Sequence, residues 1–245
     1  MIVGFVGSGS MAAAMARGWM GELGGMLFSD SGSGRAKELA AQLDGTTASN
    51  AEIAAQADLV VLAVKPAALE AVAPELTEAR ALVSVLGATP LARVEAAFPQ
   101  AEVLRVMPNV GVQMRRGVLC IAGEASAETR AKLELLGKVV ELPDSEFDQA
   151  TAIMGCAPAY LALAVEALAD AGAAAGLDPK LALELVVETN VGTAELLRNR
   201  PPASLRKAVA SPGGSTEAGL GALEREGVRR AFEAAVEASL ERMRG

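Results

Sequence analysis

Leu59 to Val64 is an unbroken apolar run preceded by Asp58. A run of that length, flanked by a charge and a turn, suits a strand buried on both faces of a parallel sheet. Leu82 to Leu86 and Val103 to Val106 repeat the signature, and Ile2 to Val6, Met26 to Phe28, Val118 to Ile121 and Val139 to Leu142 are shorter versions of it. Between them lie helical patterns at Met11 to Met20, Arg35 to Leu43 and Leu91 to Phe98. Strands alternating with helices predict an α/β domain with a mostly parallel, doubly wound sheet of Rossmann type over residues 1–146.

After Pro143-Asp144 the pattern changes, and no further strand is predicted. One helix is expected from Pro158 to Ala175, ended by Gly176. A second starts at the Asp178-Pro179 cap and runs to about Arg198, where Pro201-Pro202 stops it. A short helix over Leu205 to Val209 and two more, Thr216 to Arg225 and Val228 to Arg242, complete an all-helical domain over residues 147–245. These helices are rich in Ala and Leu on more than one face and need another surface to cover them. The expected cover is a second copy of the chain, giving a homodimer through the C-terminal helices or a higher oligomer; packing on the first domain alone is the alternative.

Gly7-Ser8-Gly9-Ser10-Met11-Ala12 follows the first strand and opens the first helix, a dinucleotide fingerprint with alanine in its third small position. The first glycine permits the tight turn, the second lets backbone approach a pyrophosphate, and Ala12 lets helix and strand pack closely. The helix N-terminus then offers free N–H groups to the phosphates. Asp30 ends the second strand, where a carboxylate accepts hydrogen bonds from an adenosine ribose and favours NAD(H). The following loop, Ser31-Gly32-Ser33-Gly34-Arg35, has two hydroxyls and a guanidinium that can hold a 2′-phosphate instead. Both NAD(H) and NADP(H) therefore stay open as cofactors.

Composition narrows the chemistry. The 245 residues include no His, which excludes a Ser-His-Asp or Cys-His mechanism and any His-ligated metal. The two cysteines, Cys120 and Cys156, form neither a structural zinc site nor a secreted disulfide framework, so no metal is expected and a reducing cytoplasm is. A formal net charge of -8 and 3% aromatic residues oppose a nucleic-acid partner. No basic leader and no long uncharged apolar stretch point to export or to a membrane.

Several segments together bring a family into view. The Gly7 to Ala12 turn, Ala63-Val64-Lys65-Pro66, and Arg105-Val106-Met107-Pro108-Asn109 resemble the pyrroline-5-carboxylate reductases in order and spacing. So do Gly155, Pro158-Ala159-Tyr160 and the loop Ser211-Pro212-Gly213-Gly214-Ser215-Thr216, the most discriminating of the set. Physically, Ala63 to Pro66 and Met107 to Asn109 end central strands at the carboxyl edge, where open α/β sheets bind ligands. The resemblance assigns both segments to the nicotinamide cofactor, and extends the assignment to Asn50, which otherwise reads as a helix N-cap.

The Ser211 to Thr216 loop is the expected substrate site. Pro212-Gly213-Gly214 has consecutive backbone N–H groups with little cover, just before a helix, which suits a carboxylate. Ser211, Ser215 and Thr216 add hydroxyls; a helix-capping turn with Thr216 as N-cap is the plainer reading.

The resemblance implies reduction of the cyclic imine 1-pyrroline-5-carboxylate to L-proline by hydride from NAD(P)H, the last step of proline biosynthesis. A protonated cyclic imine is already electrophilic, so alignment in a dry cleft supplies much of the catalysis and histidine is not required. Thr216 is the candidate to bond the ring nitrogen or deliver its proton, with Tyr160, the one phenol, as a second possible acid. Met154-Gly155-Cys156-Ala157 departs from the family's usual Ser-Gly-Ser-Gly, and Gly111 stands where a proline is common. These departures keep open a reductase of a related cyclic imine acid, or a cofactor-binding sensor without turnover. A β-hydroxy-acid dehydrogenase is disfavoured, because the helix from Pro158 to Ala175 has no lysine.

Overall fold

The computed structural model describes residues 1–244. Eight strands form one sheet: β1 (Ile2–Val6), β2 (Gly25–Ser29), β3 (Thr46–Thr47), β4 (Leu59–Leu62), β5 (Ala81–Ser84), β6 (Glu102–Pro108), β7 (Gly117–Ala122) and β8 (Gly137–Glu141). Their order is β3-β2-β1-β4-β5-β6-β7-β8. All neighbours are parallel except β6 and β7, which pair antiparallel with Pro108 opposite Leu119. The chain leaves β1 toward β2 on one side and returns to β4 on the other. That reversal opens a crevice at the carboxyl ends of β1 and β4.

The first part of the chain also holds helices α1 (Ser10–Gly18), α2 (Arg35–Leu43), α3 (Asn50–Gln56), α4 (Leu69–Val72), α5 (Leu91–Ala97), α6 (Ala127–Glu134) and α7 (Phe147–Ala150). Alternate strand residues feed two cores, as the two-residue period of a strand requires. Val3, Phe5, Leu59 and Val61 pack on one face with Met15 of α1, Trp19 just beyond its end and Leu39 of α2. Val6, Val60, Leu62 and Leu82 pack on the other with Ile53 of α3, Leu69 of α4 and Val94 of α5. Gly4 lies in a central strand because α3 comes so close: a Cβ there would lie 2.2 Å from Ile53 Cγ2.

Strand β3 and helix α6 escape the sequence pattern, as do the single turns α4 and α7. Strand β3 has only two residues, both exposed, so it leaves no apolar signal. Helix α6 buries only Thr129 and Leu133, and its Ser126 cap accepts from Thr129 N at 3.1 Å. Cap and tertiary contact, rather than an apolar stripe, define it.

The chain divides into two compact units, Met1–Cys156 and Ala157–Arg242. The division lies beyond the change of pattern at residue 146 because Phe147 and Met154 pack with Cys120 and Ala122 in a third core of the sheet unit. The second unit comprises α8 (Ala157–Ala174), α9 (Pro179–Leu197), α10 (Pro202–Val209), α11 (Ser215–Arg225) and α12 (Val228–Arg244). Asp178 caps α9, accepting from Leu181 N at 3.0 Å. Gly172 of α8 lies close to α9, where a Cβ would sit 3.4 Å from Ala182 Cβ. Among the described residues of this unit only Ala169 and Ala182 are buried, while Leu161, Leu163, Leu168, Leu183 and Leu185 are each about half exposed or more.

One helical run, Asp144–Ala174, is by length and composition long and apolar enough to cross a membrane. Charges at Asp148, Glu166 and Asp170 interrupt it, so it is not the uncharged stretch whose absence was expected. Its first part is nonetheless protein core, with Phe147 and Ala152 fully buried.

Candidate functional site

Gly7 adopts φ 94°, a left-handed conformation that a side chain would strain. A Cβ there would also stand 2.6 Å from the carbonyl oxygen of Ala63, so the turn after β1 and the chain leaving β4 touch backbone to backbone. Ala63 N donates to Val6 O (2.8 Å) across this approach, and Gly7 N donates to Ser29 O (3.2 Å) at the end of β2. Ser8 Oγ donates to Ser29 O at 2.9 Å. Ala12 is fully buried against the sheet.

Gly9 is the N-cap of α1, with φ −79° and ψ −175°, and no side chain caps the helix. The first intrahelical bond runs from Ala13 N to Gly9 O, which leaves the N–H groups of Ser10, Met11 and Ala12 without intrahelical acceptors. No acidic residue lies in the first turn. A Cβ on Gly9 would meet nothing within 4 Å, so the space before these N–H groups is open. A bare, positively polarised helix end facing open space fits a pyrophosphate.

The crevice is a cavity of about 650 Å³. Gly7, Ser8 and Gly9 form one side, and Ala63, Val64 and Lys65 the strand end beside them. Asp30, Ser31, Ser33, Arg35, Asn50, Ala68, Ala71, Val72 and Glu75 complete the lining. Ser10 and Arg17 line an adjoining cavity of about 390 Å³, which shares Ser8, Gly9 and Arg35 with the crevice. The predicted residues Met11, Ala12, Pro66, Met107, Pro108 and Asn109 do not line the crevice.

Asp30 has a different task from the one its position suggests. Its Oδ1 accepts from Gly32 N (2.7 Å) and Ser33 N (3.0 Å), and its Oδ2 from Ala36 N (2.7 Å) and Ser33 Oγ (3.1 Å). The carboxylate therefore orders the loop and caps α2. The Ala36 N–H does most to hold its pKa below the ordinary 3.8; burial opposes it as the next largest effect, and the bonds from Gly32 and Ser33 add to the lowering.

Asn50 is not a cap. Ser49 caps α3 in a capping box with Glu52, and Asn50 is the first helical residue. Its Oδ1 accepts from Ser29 Oγ at 2.6 Å and its Nδ2 donates to Glu75 at 2.8 Å. Lys65 is exposed, and Pro66 opens a single 3-10 turn rather than ending the strand, which stops at Leu62.

Asn109 is occupied as a clip. Its Oδ1 accepts from Gly111 N (3.2 Å) and Val118 N (3.1 Å), and its Nδ2 donates to Met154 O (3.1 Å). Met107 packs into the small core around Cys120 and Phe147, and Pro108 is buried in the β6–β7 pairing. Met154 belongs to a single π-helical turn, Thr151–Gly155, closed by Cys156 N donating to Thr151 O at 3.0 Å. Such turns favour functional positions, and no periodicity in the sequence marks this one.

In the helical unit the loop before α11 departs from expectation. The two glycine amides are not free: Gly213 N donates to a Glu217 carboxylate oxygen (2.7 Å) and Gly214 N to Ser211 O (2.9 Å). Gly214, not Thr216, is the N-cap, and no side chain caps the helix. Ala218 N makes the first intrahelical bond, to Gly214 O, so the donors without intrahelical acceptors are the N–H groups of Ser215, Thr216 and Glu217. Ser211, Ser215 and Thr216 are exposed. Tyr160 bonds Ser239 Oγ and donates to Ala235 O, joining α8 to α12.

The family model for pyrroline-5-carboxylate reductase dimerisation matches residues 144–245, and that for NADP oxidoreductase, coenzyme F420-dependent, matches residues 2–88. A pyrroline-5-carboxylate reductase of Thermus thermophilus is 35% identical over 255 residues, covering 99% of this chain and 97% of the relative. The chain belongs to the pyrroline-5-carboxylate reductase family. It is a nicotinamide-dependent oxidoreductase acting on a C=N bond. The solved pyrroline-5-carboxylate reductase of Streptococcus pyogenes superposes with a TM-score of 0.87 at 31% identity, over 99% of this chain and 98% of that one. The Plasmodium falciparum enzyme, solved with NADP bound, gives 0.84 at 27% identity over 99% and 97%. As in the family model, the C-terminal region of this reductase is a dimerisation domain.

Proposed function

We propose that this chain reduces 1-pyrroline-5-carboxylate to L-proline with NADPH as the preferred donor. The observation carrying the cofactor half is the bare N-terminus of α1 facing open space at Gly9. Backbone N–H groups of Ser10, Met11 and Ala12 hold the pyrophosphate, and Gly7, Ser8, Ala63, Val64, Lys65 and Asn50 line its path. Met107, Pro108 and Asn109 act from behind, by holding the β6 end and the π turn in place. The preference for the phosphorylated cofactor rests on Asp30. Its oxygens accept four hydrogen bonds from its own loop, which leaves Ser31, Ser33 and Arg35 to receive a 2′-phosphate.

When bound, the reduced nicotinamide supplies a hydride to the imine carbon, and the ring nitrogen takes a proton. The remaining tasks fall to the chain. The N–H groups of Ser215 and Thr216, at the uncapped start of α11, hold the substrate carboxylate. Ser211, Gly213 and Gly214 shape that turn from within, through the Ser211–Gly214 bond and the Glu217 tie to Gly213. The Thr216 hydroxyl, free of helix-capping duty, bonds the ring nitrogen.

A second copy of this chain, rather than lipid, covers the exposed leucines of α8 and α9. Glu166 and Asp170 lie within the apolar run, and its first part is already protein core. The homodimer is cytoplasmic on this reading, with both cysteines reduced.

The test is a steady-state assay of cofactor oxidation with NADPH and with NADH, against pyrroline-5-carboxylate and its six-membered homologue. Turnover of the five-membered imine with NADPH is the expected result. Faster turnover of the homologue would reassign the substrate, and cofactor binding without turnover of either would make the protein a sensor.

A further inference from the structure

Glu75 is a residue that neither the glycine turn nor the substrate loop uses, and no sequence motif marks it. It ends a single 3-10 turn, Ala73–Glu75, beyond α4. It lines the same crevice as Ser31, Ser33 and Arg35. Its Oε2 accepts from Asn50 Nδ2 at 2.8 Å. A carboxylate accepts only, so this bond turns the amide N–H toward Glu75 and the amide oxygen toward Ser29 Oγ, 2.6 Å away. The chain Ser29–Asn50–Glu75 thus links the end of β2 to the turn beyond α4.

The two crevice carboxylates are not equivalent. Asp30 stays charged, but its oxygens are taken up locally by three backbone N–H groups and one hydroxyl. Glu75 has one neutral amide as its hydrogen-bond partner among the described residues. Its charge therefore acts on whatever enters the crevice, which Arg35 also lines.

We propose that Glu75 sets cofactor specificity, in two ways. It orients the Asn50 amide for any dinucleotide, and its charge disfavours a 2′-phosphate, which limits the preference that Arg35 creates. This rests on the dinucleotide lying in this crevice, and the experiment separates the two ideas.

Glu75→Gln retains an acceptor for Asn50 and removes the charge, whereas Glu75→Ala removes both. Dissociation constants for NADP(H) and NAD(H) are measured for the unaltered protein and both variants, at low and high salt. Removing a charge across a solvated crevice should tighten NADP(H) binding by Glu75→Gln roughly threefold to tenfold, with NAD(H) changed less than about twofold. The gain should shrink as the Debye length falls from about 10 Å at 0.1 M to about 3 Å at 1 M salt. Glu75→Ala should weaken NAD(H) binding, because the freed amide can flip. Equal shifts for both cofactors in Glu75→Gln, or none, would overturn the charge role, and unchanged NAD(H) affinity in Glu75→Ala would overturn the orienting role. If the unaltered protein bound neither dinucleotide, the crevice assignment itself would fall.

Discussion

Gly9→Ala separates binding from folding in a way that few substitutions can. The residue sits at φ −79°, ψ −175°, extended backbone that alanine adopts without strain, and its Cβ would meet no atom within 4 Å. Folding stability should stay level or rise by about 0.4–1 kcal/mol, because alanine restricts the unfolded chain. The new methyl would nevertheless enter the open space at the start of α1, where a phosphate oxygen must come within about 3 Å of the Ser10–Ala12 amides. Losing one hydrogen bond to a charged group costs about 1.5–3 kcal/mol, which raises the dissociation constant about 10- to 150-fold. Gly7→Ala is the contrast: φ 94° and a contact at 2.6 Å to Ala63 O penalise the fold itself. Left-handed backbone costs about 1–2 kcal/mol and the forced shift about 1–3 more. The Tm should then fall by roughly 5–20 °C. Thermal unfolding and cofactor titration of both variants make the check. Should Gly9→Ala bind NADPH as tightly as the unaltered protein, the phosphates do not approach this turn and the reasoning fails.

Thr216→Ala should lower kcat on pyrroline-5-carboxylate by about 10- to 100-fold while leaving NADPH affinity within about twofold; parallel loss of both would remove its role at the ring nitrogen. Tyr160→Phe should cost about 1 kcal/mol of stability and leave kcat within about twofold, since its hydroxyl is committed to Ser239 and Ala235. A large kcat loss would restore Tyr160 as the acid. The folded pKa of Asp30 is depressed below 3.8, so its contribution to the order of the 31–36 loop is fully present above that value and disappears as pH falls through the lower one. Exchange protection of the Ala36 amide should follow that course, and protection that persists at still lower pH would contradict it. Leu185→Glu, on the exposed side of α9, should weaken the dimer about 100-fold or more, since a symmetric interface counts the change twice. Sedimentation of an unaltered dimer and of an unchanged variant dimer would place the interface elsewhere.

The strand–helix alternation and the glycine turn were legible because they depend on local period and on backbone freedom. Both reappear with bounds shifted by a few residues, and β5 ends at Ser84 rather than Leu86 because pairing with β4 and β6 ends there. Strand β3 and helix α6 were illegible, one too short for a pattern and the other with little buried surface. Individual site residues were harder still. Asp30, Asn50, Asn109 and the glycines at 213 and 214 were each of the right type at the right place, yet each already spends its hydrogen bonds within its own unit.

That difference has a physical cause. Periodicity and turn chemistry are properties of neighbours along the chain, so the sequence by itself determined the Rossmann-type sheet and the helical second unit, while the absence of histidine excluded imidazole chemistry. Which donor stays free depends on partners far apart in sequence: Asn50 with Glu75 and Ser29, Asn109 with Met154. A hydrogen-bonding atom spent on one partner is withdrawn from the ligand, and only the tertiary structure decides that allocation.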